Sequence, residues 1–160
     1  MSELETFLKE KTTEIVGKMG LEAEVSLSQE DGQTVLEINP DKEEDAPLLI
    51  GFHGATLNAF QVILGTLAFK KFGKFEPFLV ESGGYRKERE EEIRARALEA
   101  ADKAKFLIKE VSFPAMNASE RRIIHLTLEK EKGVRTESRG EGRERHVVVI
   151  PEGLPQKDVK

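Results

Sequence analysis

Met116-Asn117-Ala118-Ser119-Glu120-Arg121-Arg122-Ile123-Ile124-His125-Leu126-Thr127-Leu128 is the stretch from which the second half of the chain is read. Asn117, followed three residues later by Glu120, has the form of a capping box. The Asn117 side chain can accept from the Glu120 backbone N–H, and the Glu120 carboxylate can reach back. A helix is therefore predicted from about residue 118. At about 100° per residue, His125 lies roughly 40° from Arg121 and Arg122 roughly 100° from it. Arg121 and His125 are thus neighbours one turn apart, whereas Ile123, Ile124, Thr127 and Leu128 should face a core. Two flat cationic or hydrogen-bonding groups side by side suit phosphate, and Arg122 can contribute from the flank.

Downstream, residues 134–138 and 146–150 read as the two strands of a hairpin, with Pro151 ending the fold. They are joined by Arg139-Gly140-Glu141-Gly142-Arg143-Glu144-Arg145, whose glycines let backbone N–H groups come close to a phosphate. Arg139 and Arg145 are candidate ligands there, and Ser138 is a further hydroxyl donor. Upstream, residues 111–113 read as a short strand ending at Pro114. Residues 85–92 are almost wholly charged, yet Ile93, Ala97, Ala100, Ala104, Leu107 and Ile108 form one helical stripe. That pattern predicts a long helix whose first turns are solvated and whose later turns dock on a core.

The first half has a different rhythm. Leu4, Phe7, Leu8, Ile15 and Val16 predict an amphipathic helix over residues 4–18 that stops near Gly20. Ala23, Val25 and Leu27 alternate with polar residues, Asp31-Gly32 supplies a hairpin turn, and residues 34–39 return as a strand closed by Pro40. Residues 41–47 are acidic and have room for at most a short helical turn, because Pro47 disfavours helix in the residue before it. Residues 55–72 are long, apolar and free of proline, and predict a buried helix; residues 75–80 predict a third strand. Gly51-Phe52-His53-Gly54 opens the long helix, where unpartnered N–H groups and the positive end of the dipole favour an anion. The fold class is α+β in two small domains. The expected bounds are residues 1–83, residues 84–152 including the charged helix, and a tail over residues 153–160.

Composition narrows the function. The 160 residues have room for one ordinary domain or two small ones. Cysteine is absent, which removes disulfides, thiolate nucleophiles and thiolate-bound metal. His53, His125 and His146 are too scattered for a metal-ligand pattern. No nucleophile or paired carboxylates accompany either His53 or His125, so neither an enzyme nor a cofactor is expected. No run approaches the roughly 20 apolar residues of a membrane span, and the acidic start Met1-Ser2-Glu3-Leu4-Glu5 is unlike a secretory signal, so a cytoplasmic protein without membrane insertion is expected. A net charge of −5 argues against coating nucleic acid by bulk positive charge. That charge is unevenly spread: residues 1–83 hold 7 Lys and Arg against 15 Asp and Glu, and residues 84–160 hold 18 against 15.

Two resemblances rest on these motifs. The order αββ, Leu49-Ile50-Gly51-x-x-Gly54-x-Thr56-Leu57, then a long helix and a strand resembles a type II KH domain, αββααβ. In that family the Gly-x-x-Gly loop clamps a few nucleotides of a single strand, which implies binding by Gly51, Phe52, His53 and Gly54. Family members usually place Lys or Arg between the glycines, where this chain has Phe52 and His53. Residues 116–128, followed by Val134-x-Thr136-x-Ser138-x-Gly140-Glu141-Gly142-x-x-Arg145-x-Val147-Val148-Val149-x-Pro151, resemble the R-three-H domain, βαββ plus its leading helix, named for its Arg-xxx-His motif. With Gly84-Tyr85-Arg86-x-x-Arg89-Glu90 between them, residues 21–151 resemble the KH plus R-three-H portion of the bacterial Jag (SpoIIIJ-associated) proteins, without the Jag-N domain that usually precedes it. The resemblance implies a non-enzymatic binder of single-stranded RNA, with single-stranded DNA left open, acting as a post-transcriptional regulator. The alternative is a protein-interaction module whose acidic half pairs with another KH-domain protein and binds no RNA.

Overall fold

The computed structural model describes residues 1–154, so the expected tail lies, from residue 155 on, outside them. The chain divides into two compact units, Met1–Arg86 and a second from Lys87 on.

In the first unit, α1 (Glu3–Lys18) is capped by a reciprocal Ser2–Glu5 box and turns Phe7, Leu8, Thr12 and Val16 inward. The hairpin of β1 (Ala23–Glu30) and β2 (Gln33–Pro40) is turned by Asp31 and Gly32, both at positive φ as a tight two-residue turn requires. The acidic segment departs from expectation. After a single 3-10 turn at Glu43–Asp45, a short helix α2 (Ala46–Ile50) forms. Pro47 lies in its first turn, where a missing N–H has no helical partner to lose.

The helix α3 (Ala55–Phe72) buries Leu57, Phe60, Leu64 and Ala68, and β3 (Phe78–Glu81) follows it. This strand starts later than predicted because Pro77 has no N–H to give to a ladder. The sheet order is β1-β2-β3, with β3 parallel to β2 through the α2–α3 crossover. Leu8, Leu36, Ile38, Leu49, Leu57, Leu64 and Val80 are fully buried between the helices and the sheet; each such aliphatic stabilises the fold by roughly 1.5–3 kcal/mol. The free edge of β3 is occupied by Gln61, whose amide donates to the Phe78 carbonyl (2.6 Å) and accepts from the Val80 N–H (2.8 Å).

The helix α4 (Tyr85–Leu107) leads into the second unit, which continues with β4 (Val111–Ser112), α5 (Ala118–Leu128), β5 (Val134–Arg139) and β6 (His146–Pro151). The sheet is antiparallel in the order β4-β6-β5. Ile93, Ala97, Ala100, Ala101 and Ala104 of α4 pack with Ile124, Leu128, Val134, Val147 and Val149. The predicted stripe does not extend to Leu107 and Ile108, which are exposed: α4 ends at Leu107, and Ile108 at φ 53° turns the chain away. Observed in order, the elements are αββααβ, a charged helix, then βαββ, the α+β arrangement read from the sequence. Among the described residues no single helix is long and apolar enough to cross a membrane.

Candidate functional site

The Asn117 side chain caps α5 by accepting from the Glu120 N–H at 2.9 Å. The expected return contact from Glu120 is absent. Its carboxylate turns inward and accepts from Arg89 Nε at 2.8 Å, with the two side chains 6% and 16% exposed, while its other oxygen has no partner. A guanidinium supplies a charge-assisted bond that the backbone N–H cannot match, and a carboxylate this deeply buried needs one.

One turn on, Arg121 donates to the Met116 carbonyl (2.9 Å), and the Met116 N–H donates to the Arg145 carbonyl (3.1 Å). The backbone of Met116 therefore ties α5 and the segment entering β6 side by side. The Arg145 side chain closes its own turn by donating to the Gly140 carbonyl (2.9 Å). Gly140 is obligatory there: at φ 83° a Cβ would come within 2.9 Å of the Glu144 carbonyl oxygen.

Thr136 and Ser138, two apart on β5, point to the same side of the sheet, and His125 sits against both. Its Nδ1 is 2.6 Å from Thr136 Oγ1 and its Nε2 2.9 Å from Ser138 Oγ. Burial, and then the charges of Arg121 and Arg145, hold the imidazole below its ordinary value of 6.5, so it is largely neutral at pH 7. His125, Thr136 and Ser138 are half-buried and therefore still reachable. Among the described residues Arg121, Arg122 and Arg145 have no acidic partner. Cations without counterions beside two hydroxyls and an imidazole are the donor set that an oxyanion requires.

The structure thus brings Arg121, His125, Ser138 and Arg145 together and leaves Arg122 exposed on the same helix. Arg139 is not free to join them. Its guanidinium makes a bidentate pair with Glu110 (2.9 and 3.1 Å) and a further bond to Glu137, and the Glu110 bond above all raises its pKa. It stands on the opposite face of β5 from Thr136 and Ser138. Thr136 is the residue that the sequence reading missed. Its signal was its position two residues from Ser138, on the strand that faces the helix.

The Gly51–Gly54 loop, in the first unit, is built differently. Gly51 (φ 74°) and Gly54 (φ 79°) are required by the turn itself: a Cβ on Gly51 would meet the Thr56 backbone nitrogen at 2.6 Å, and one on Gly54 the Tyr85 ring at 3.0 Å. Between them Phe52 is 82% exposed and stacks on His53, with ring centroids 4.0 Å apart and 13° between planes. The loop opens α3 without any side-chain cap.

Residues 90–151 match the family model of the R-three-H domain. The second unit carries an R-three-H domain. Relatives are found whose matches extend across both units. The RNA-binding protein KhpB of Clostridium symbiosum is 35% identical over 126 residues, covering 78% of this chain and 57% of that protein. The KhpB protein of Bacillus subtilis is 38% identical over 109 residues, covering 66% of this chain and 52% of its own length. That of Streptococcus pneumoniae is 25% identical over 132 residues, or 82% and 40%. The chain thus spans about half the length of the curated relatives it matches. Together these findings bear out the R-three-H part of the resemblance read from the sequence, and they place α5, β5 and β6 with their Arg-xxx-His motif inside that domain.

Proposed function

We propose that the chain is a non-enzymatic, cytoplasmic binder of single-stranded RNA that grips phosphates at the R-three-H domain with Arg121, His125, Ser138 and Arg145. In this reading Arg122 assists from the flank. The observation that carries it is the convergence of Arg121 and Arg145, neither with an acidic partner among the described residues, on the histidine–hydroxyl cluster. The name of the relatives, RNA-binding protein, supports RNA as the ligand over the reading in which the chain is only a pairing module. Met1–Arg86 acts in this proposal as a type II KH domain, since it has the αββααβ order with Gly51-x-x-Gly54 between α2 and α3. Its loop has no Lys or Arg between the glycines, so it contributes less than the R-three-H site. Residue Arg139 serves as a structural tie rather than a ligand.

The test is binding of the full chain to a short fluorescent oligouridylate as salt is varied, with the deoxy oligonucleotide and an RNA duplex as comparison arms. Each phosphate contact on a single strand contributes about −0.7 to the slope of log affinity against log salt. Arg121→Ala is expected to weaken binding and flatten that slope. Unchanged affinity in an Arg121→Ala/His125→Ala protein would overturn the proposal.

A further inference from the structure

We propose that Thr136 and Ser138 are themselves phosphate ligands and that His125 is a positioning residue that orients their hydroxyl protons, so that the R-three-H site takes up a proton as it takes up the anion. The inference rests on the phosphate-binding reading above and adds to it a division of labour among its residues.

The argument is one of donors and acceptors. A neutral imidazole has one N–H and one bare nitrogen. Because both ring nitrogens lie within hydrogen-bond distance of a hydroxyl, one hydroxyl accepts from the ring and the other must donate into it. The accepting hydroxyl keeps its proton for a ligand; the donating hydroxyl has spent its own. With neutral His125, therefore, the pair offers a phosphate one O–H donor. When His125 gains a proton both ring nitrogens donate, both hydroxyls accept, and both hydroxyl protons turn outward. The site then offers two O–H donors, at a spacing fixed by β5, beside Arg121 and Arg145.

The charges around the ring set the direction of coupling. Burial opposes protonation most, and Arg121 on its own helix and Arg145 at the entry to β6 oppose it further. On β5, Arg135, Glu137 and Arg139 alternate to the other face, away from Thr136 and Ser138; Arg139 is taken up by Glu110 and Glu137. The residues of β6 packed in the same core are Val147 and Val149, which carry no charge. A bound phosphate brings negative charge to the two arginines that had kept the proton away. The ligand itself offsets the part of the obstacle that comes from charge, while burial stays, and by linkage the proton strengthens the ligand.

The experiment uses the full chain and a short single-stranded oligouridylate. Affinity is measured from about pH 5 to 8, the range in which histidines switch, and calorimetry in buffers of different ionisation enthalpy counts the protons taken up. The parent chain is expected to gain affinity on acidification, by at most about tenfold per pH unit for a single linked proton, with net proton uptake on binding. In His125→Gln, whose amide can still donate to one hydroxyl and accept from the other, binding should weaken at acid pH toward the parent's alkaline value, with its pH dependence and proton uptake reduced. That result separates positioning through a proton from mere support of the fold. Thr136→Val and Ser138→Ala should each weaken binding at acid pH more than at alkaline pH. Binding by the parent without proton uptake, or uptake undiminished in His125→Gln, overturns this inference while leaving the RNA-binding reading intact. Failure of the parent to bind at any pH overturns both.

Discussion

At Gly51–Gly54 the polypeptide meets solvent with bare backbone and an exposed aromatic pair; at α5 and β5 it presents arginines around a histidine wedged between two hydroxyls. Gly51–Gly54 stands at the positive backbone end of α3, whereas His125 lies in the last turn of α5 and has no such end beside it. The difference lies in what the side chains add. In the first unit the glycines are fully engaged in making the turn, and the residues between them, Phe52 and His53, stack on each other. In the R-three-H domain the side chains are crosslinked by hydrogen bonds to Met116, Gly140, Thr136 and Ser138, which hold them in place before any ligand arrives. Placing charged groups in advance removes the ordering cost that binding would otherwise incur, and on the proposed reading the second site is expected to be the stronger of the two.

The comparison can be broken or sharpened by experiment. The largest effects concern independence of the units: Leu64→Ala and Ile124→Ala each delete a fully buried side chain from one core and should each cost about 2–5 kcal/mol. Hydrogen exchange should report loosening in the mutated core with the other protected; equal loosening of both would show that the two cores unfold as one. Next, Glu120→Ala leaves Arg89 without its buried partner, a change of about 3–5 kcal/mol for a fully buried pair and less here, because Arg89 also pairs with Glu92. A denaturant midpoint measured for that variant should fall, and no change would mean that the pair is ornamental.

Arg121→Ala should then reduce RNA affinity about ten- to a hundredfold, the range for a charged hydrogen bond of roughly 1.5–3 kcal/mol, and a titration at several salt concentrations reads it directly. The pH dependence of stability comes after that. Because His125 titrates below 6.5 when folded, the folded chain resists a proton that the unfolded chain accepts. Stability attributable to this residue is full above about 6.5 and declines as the pH falls through that value. A thermal melt series should show a decline that His125→Gln lessens. The smallest expected effect is that of Phe52→Ala, a few-fold loss of RNA affinity at most; a loss exceeding that of Arg121→Ala would reverse the ranking of the two sites.

Local features of this chain were legible because their causes are local. The spacing of Leu4, Phe7 and Leu8, the Asp31-Gly32 turn and the Asn117 cap all depend on residues within a turn or two of each other. Arg121 and His125 could be placed on one helix face by the same means. What escaped depends on distant partners. Glu120 had a plausible neighbour in Asn117 but chose Arg89, 31 residues earlier. Arg139 looked like a ligand until Glu110, 29 residues away, claimed both of its terminal nitrogens. The insertion of β6 between β4 and β5 could not be read from strand order along the chain. Even α2 eluded a local rule, since the bias that Pro47 places on Ala46 was outweighed by the burial of Leu49.

The amide of Gln61 acts on β3 as one more strand would, offering an acceptor to Val80 and a donor to Phe78. A sheet grows by adding chain to an edge where these two groups are vacant. By filling them from within, a single side chain fixes the width of the first sheet at three strands on that side. An extended peptide that approached β3 would have to displace Gln61 first, so partners of this unit are directed to its helices, its loops or the opposite margin at β1.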